Sequence, residues 1–196
     1  MKKISFKSNN KNIFKFILNI SIETQKPSKS FKKYKYNNLV FFNYIINIID
    51  DSINVKILID KDYKILQLHI IGAFIFDLSS KYQASLINVN YTGSNEEILD
   101  NLYFGFKRKD FIFNEYLNNS KKEKFQSNFK LGAKNSSLLN SINFMKLLVS
   151  LPSNILYPKS YCDLIKKNID SKRVNITYYN EDKIKKIGMK IGRAVQ

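Results

Sequence analysis

The chain has 196 residues, 44% of them apolar, and a formal charge of +17 with a pI near 9.8. That length suits one medium domain or two small ones with a real core, and the charge points to an acidic partner, nucleic acid first. One cysteine (Cys162) excludes an internal disulfide or a multi-cysteine zinc site, one histidine (His69) excludes a histidine cluster, and the longest apolar run, 39–49, is too short to span a membrane.

Lysine outnumbers arginine thirty to three. An AT-biased genome alone would produce that preference, so the sign of the charge is informative and the choice of lysine is not. The charge is also uneven: residues 1–36 carry +9, residues 37–102 carry −4 and residues 103–196 carry +12. Uniform codon drift would not put an acidic middle between two basic flanks.

Residues 1–36 read as a basic, Asn/Ser-rich arm with too little apolar periodicity to fold alone. The arm lacks the apolar stretch of a secretory signal and the arginines of a typical import peptide. The aromatic residues that follow (Phe31, Tyr34, Tyr36, Phe41, Phe42 and Tyr44) suit packing. From Ile53, INVKILI and YKILQLHII alternate around the turn Asp60–Asp62, a hairpin signal. AFIFDL and SLINVNY continue as strands, with turns near Ser79–Ser80 and Thr92–Asn95. A helix is predicted from Asp110, with Ile112/Tyr116 and Phe113/Leu117 spaced at i, i+4. NNSKKEK at 118–124 then reads as a linker.

Beyond the linker, FMKLLVSL, YCDLIKKN and RVNITYY read as three strands. The closing segment turns helical after Asn180, a suitable N-cap, with Glu181 and Asp182 at the positive end of the dipole. Ile184, Ile187, Ile191 and Val195 share one face of that helix, and Lys183, Lys186, Lys190 and Arg193 share another. The expected fold is therefore α+β: two tandem small domains, each a mostly antiparallel sheet covered by one helix, behind a basic extension. The boundaries fall at 1–52, 53–120 and 121–196.

No pattern supports catalysis. His69 has no partner of a catalytic kind, Cys162 alternates with Leu164 as a small buried hydrophobe, and the pairs Asp50–Asp51 and Glu96–Glu97 sit at turns. There is no phosphate loop or nucleophile elbow. Lys107, Arg108 and Lys109 fall at the start of the predicted helix, where the dipole disfavours them. Some other role is expected for them, and Lys159, Lys166, Lys167, Lys172 and Arg173 with the stripe Lys183, Lys186, Lys190 and Arg193 are the leading candidate for one phosphate-binding surface.

The chain resembles the large-subunit ribosomal protein six family, over about residues 53–196. VKILIDKDYKILQLHIIGAF resembles the family's opening hairpin, keeping only Gly72 of its Lys-Gly-Pro-Lys-Gly turn. LYFGFKRKDFIFNEYLNN takes the place of its His-Gly-Thr-Thr-Arg segment and helix, and EKFQSNFKLGAK, with Gly132, that of its Gly-Val-Gly-Tyr-Arg strand. LLVSLPSNILYP is similar to the family's Leu-Gly-Phe-Ser-His-Pro-Val stretch without the histidine. RVNITYYNEDKIKKIG is similar to its last strand and helix start, and the family's Tyr-Lys-Gly-Lys-Gly tail has no counterpart.

The resemblance implies a non-enzymatic constituent of an organellar large ribosomal subunit, mitochondrial before plastid and encoded in the organelle. Its partners would be large-subunit rRNA near the factor-binding region and neighbouring ribosomal proteins, with no cofactor, no metal, no membrane span and no homo-oligomer. The expected rRNA contacts are Lys134, Ser153, Asn154, Lys159, Lys166, Lys167, Lys172, Arg173, Lys183, Lys186, Lys190 and Arg193. The alternative from another class is a protein-interaction subunit of a different organellar complex.

Overall fold

The computed structural model describes residues 17–24, 30–36, 39–92, 96–111, 113, 126–128, 130–169 and 174–189. The chain divides into two compact units, Met1–Phe144 and Met145–Gln196.

Period-two burial builds the first unit. In β1 (Ile17–Glu23) Leu18, Ile20 and Ile22 are buried, and in β4 (Ser52–Leu58) Ile53, Val55 and Ile57 are. In β5 (Leu86–Tyr91) Ile87 and Val89 complete the layer. The two flanking strands pair with β1 in parallel, so β1 sits at the centre of the sheet. On the β4 side, β3 (Leu39–Ile49) and β2 (Lys32–Tyr36) add antiparallel strands; on the β5 side, β6 (Gln126–Ser127) adds a parallel one. The six strands run in the order β2-β3-β4-β1-β5-β6. The β3–β4 hairpin closes through Asp50–Asp51, with Asp50 at φ 49°, a left-handed turn that a short polar residue tolerates.

Two helices cover the buried face: α1 (Ile65–Lys81) and α2 (Glu96–Lys109). In α1, Leu68, Ile71, Ile75 and Leu78 repeat at three- and four-residue steps and are buried. Gln67 anchors the start of α1: its carboxamide accepts from the Lys64 amide at 2.7 Å and donates to the Phe41 carbonyl at 2.9 Å. Gln83, at φ 51°, ends it. Tyr34, Phe42 and Tyr44 gather around Phe74 of α1, with ring centroids 4.9–5.2 Å from it.

α1 and α2 meet backbone to backbone. A Cβ on Gly72 would lie 2.0 Å from the Leu102 carbonyl oxygen, and one on Gly105 would lie 2.1 Å from that of His69. Only two glycines facing each other's helix permit so close a crossing. Asp100 of α2 then ties down the next segment, accepting from the Gly132 amide at 2.6 Å and from Asn135 Nδ2 at 2.8 Å.

The opposite face of the sheet is polar. Asn47, Asn54, Asn19 and Asn88 lie in register across β3, β4, β1 and β5. Asn88 Nδ2 donates to Asn19 Oδ1 at 3.1 Å, and Asn19 Nδ2 donates to Asn54 Oδ1 at 3.3 Å. Further along the same face, Lys56 of β4 pairs with Glu23 of β1 across 2.8 Å.

The α+β class holds, but the layout differs from two small antiparallel sheets. The described strands form one mixed sheet, and its core strands are parallel. Three of those strands come from the expected extension 1–52, because Leu18, Ile20 and Ile22 bury more than the surrounding lysines can prevent. The expected hairpin at 53–71 is a strand followed by α1, which also takes in AFIFDL and the expected turn at Ser79–Ser80. Gly72 is therefore a mid-helix residue and not part of a turn. Lys107, Arg108 and Lys109 close α2 where the dipole favours cations, instead of opening a helix at Asp110. Most of the helix expected after Asp110, and the linker 118–124, lie outside the described residues.

In the second stretch, FMKLLVSL belongs to α3 (Ala133–Ser150) and YCDLIKKN to α4 (Pro158–Asn168), both expected as strands. Pro158 at the first position of α4 has no amide to leave unpaired and has φ preset for a helix, which explains the difference. Residues 174–180 carry no ladder pairing, and α5 (Glu181–Lys186) follows them. Asn180 caps α5 as expected, its side-chain oxygen accepting from the Lys183 amide at 3.1 Å.

Candidate functional site

Within the second unit, α4, the extended segment 174–180 and α5 enclose an open apolar recess of about 370 Å³. Cys162 and Ile165 reach it from α4, Ile176 from the extended segment, and Ile184 and Met189 from α5 and its end. Thr177, Tyr178 and Tyr179 complete the lining, and the two tyrosines remain 41% and 44% exposed. Each ring carries an ammonium. Lys166 Nζ lies 5.2 Å from the Tyr178 centroid, and Lys183 Nζ lies 4.7 Å from that of Tyr179.

Lys166 and Lys167 occupy the last turn of α4, where the negative end of the helix dipole stabilises them. Lys159 sits near its start. There the Tyr157 amide donates to Ser160 Oγ at 2.9 Å, and that hydroxyl donates to the Ile155 carbonyl at 2.6 Å. Lys159, Lys166, Lys167, Lys183 and Lys186 are all exposed. Lys185, also exposed, is paired with Glu181 at 2.8 Å; this pairing holds the exposed Glu181 carboxyl below its ordinary range. Among the described residues of this unit, seven lysines face three acids.

Five of the expected contact residues thus share the second unit's helices. Ser153 and Asn154 lie in the exposed turn between α3 and α4. Lys134 is exposed in the first turn of α3 and belongs to the first unit. Lys172, Arg173, Lys190 and Arg193 lie outside the described residues. The two tyrosines were missed. Treated as part of a strand, RVNITYY hid the fact that adjacent tyrosines between basic helices are themselves an aromatic-plus-cation signal.

His69 belongs to the first unit's helix crossing. Its Nε2 is 3.2 Å from Asn101 Oδ1, and Asn101 Nδ2 donates to the Glu97 carbonyl. Asn101 therefore presents its acceptor to the ring, so Nε2 carries the proton. Burial holds the His69 pKa below its ordinary value, partly offset by the Asn101 bond and reinforced by Arg108. A neutral histidine packed 4.7 Å from the Phe104 ring joins α1 to α2. Among the described residues, no group of three or more His, Cys, Asp or Glu could hold a metal ion. Among them also, no helix is long and apolar enough to cross a membrane.

No family model matches the chain, and no curated protein matches it. Solved structures do. A mutant of leucine aminopeptidase from tomato superposes with a TM-score of 0.58 at 15% identity, covering 89% of this chain and 43% of the aminopeptidase. The bottromycin maturation enzyme BotP superposes with a TM-score of 0.54 at 9% identity, covering 90% of this chain and 41% of that one. The chain spans less than half the length of either protein. At these identities the likeness is one of fold. It nevertheless corrects the expectation of a non-enzymatic protein, because these two matched proteins are enzymes.

Proposed function

We propose that this protein forms part of an aminopeptidase-type enzyme, one that removes residues from the ends of peptides. The observation that supports this reading is the fold shared with tomato leucine aminopeptidase over 89% of the chain. The described residues fit a structural share of that work. The first unit is a sheet with an apolar buried face, and its histidine is committed to a helix joint. The test is direct. The protein is tagged in its own cells and isolated with whatever it is joined or bound to, then assayed for release of p-nitroaniline from leucine p-nitroanilide. Activity above that of a mock isolation is expected; its absence overturns the reading.

A second reading is RNA binding by the second unit, favoured by the exposed lysines of α4 and α5. It is compatible with the first. Its most specific form is a place on the large subunit of a mitochondrial ribosome. In that form the protein co-sediments with large subunits in high-magnesium gradients and is released by RNase. Retention after RNase would point to a protein-bound subunit of another complex.

A further inference from the structure

The recess of the second unit combines three properties that a merely basic surface lacks. It has an apolar floor, two neighbouring tyrosines with about two-fifths of their surface open, and one ammonium over a face of each ring. The spacing of ammonium and ring, 4.7 and 5.2 Å, is within the size of one nucleotide. A base would lie on the part of the ring that the ammonium leaves uncovered, or on the apolar floor, while the lysine over the ring meets a phosphate. A duplex keeps its base faces stacked inside, so it has nothing to offer the tyrosines. A strand of unpaired nucleotides offers both groups in alternation.

We propose that the recess between α4 and α5 binds single-stranded RNA, with Tyr178 and Tyr179 as stacking platforms and Lys166 and Lys183 as their phosphate partners. This rests on the RNA-binding reading above and narrows it to unpaired strands. The excess of lysines over acids on the same unit favours a polyanion. The open rings favour one that carries flat apolar groups, over an acidic peptide. Asp163 and Asp182 are the exposed acids that oppose it, and Glu181 is already paired with Lys185.

The test measures binding of the full-length protein to three fluorescent probes: a twelve-nucleotide oligouridine, a twelve-base-pair RNA duplex and a twelve-residue oligoglutamate. Oligouridine is expected to bind at least tenfold more tightly than oligoglutamate at equal salt. Tyr178→Leu and Tyr179→Leu keep apolar bulk in the recess but remove the ring, and each should weaken oligouridine binding about tenfold. Tyr178→Phe and Tyr179→Phe should retain it, which separates loss of stacking from loss of folding. Lys166→Gln with Lys183→Gln should reduce the salt slope for oligouridine by about 1.4, the share of two phosphate contacts on a single strand.

If oligouridine binds, the lysine variants weaken it and the leucine variants do not, the stacking proposal falls while RNA binding stands. The proposal also falls if the duplex binds as well as oligouridine, or if oligoglutamate competes on equal terms. If neither RNA probe binds, both readings fall together.

Discussion

The two units place their apolar residues in opposite ways. In the first, alternate residues of three parallel strands are sealed under α1 and α2, and the crossing is so close that two glycines are required. Its charges stay at the margins. In the second, α4 and α5 contain no buried residue, and their apolar side chains line an open recess among lysines. Burial determines the first unit and surface chemistry the second. Substitutions in the first should therefore register as stability, and substitutions in the second as binding.

Leu18→Ala tests the stability half most severely. Leu18 is fully buried on the central strand, and truncation there should cost about 2–5 kcal/mol in urea unfolding. Gly72→Ala comes next, at about 1–3 kcal/mol, because the helices must separate to admit a methyl group. Adding Gly105→Ala should then cost less than it does alone, since the gap has already opened; simple additivity would contradict the shared crossing. Asp100→Ala should cost about 1–2 kcal/mol by leaving the Gly132 amide and Asn135 without their acceptor.

A smaller effect concerns pH. His69 has a folded pKa below its ordinary 6.5, so the unfolded chain binds the proton more readily. Its contribution is complete above pH 6.5 and is lost as the pH falls from there through the folded value. His69→Gln should flatten that part of a stability–pH curve; an unchanged slope would remove the histidine from the account. At the small end, Lys166→Gln and Lys183→Gln should each change stability by no more than about 0.5 kcal/mol. A larger loss would mean that these lysines hold the second unit together and would blur the contrast between the units.

How much of this was legible in the sequence depends on how far local pattern agreed with global charge. INVKILI and SLINVNY alternate cleanly and are β4 and β5, and Asn180 is the cap it looks like. ILNISIE alternates just as cleanly, but it sits among ten lysines in the first 36 residues, and the charge masked it. The segment from Ile65 to Lys81 failed for another reason. A helix apolar on nearly all sides has little periodicity to read, so its short pieces imitate strands, and only its length of 17 residues argues otherwise. At the candidate site the lysines were visible at once. The tyrosines depended on knowing that 174–180 is extended but unpaired, which no local pattern states.

The place of β1 in the sheet also bears on how the chain comes to be folded at all. Its partners lie 35 residues away on one side and 69 on the other, so the centre of the sheet cannot close until Leu86–Tyr91 has been made. Contacts at such separation form slowly, and until then an apolar strand waits without a neighbour. Lys11 and Lys15 before it and Lys26 and Lys29 after it give that waiting segment a repulsive fringe against self-association. In β1's surroundings, part of the lysine excess serves the chain before it has a shape.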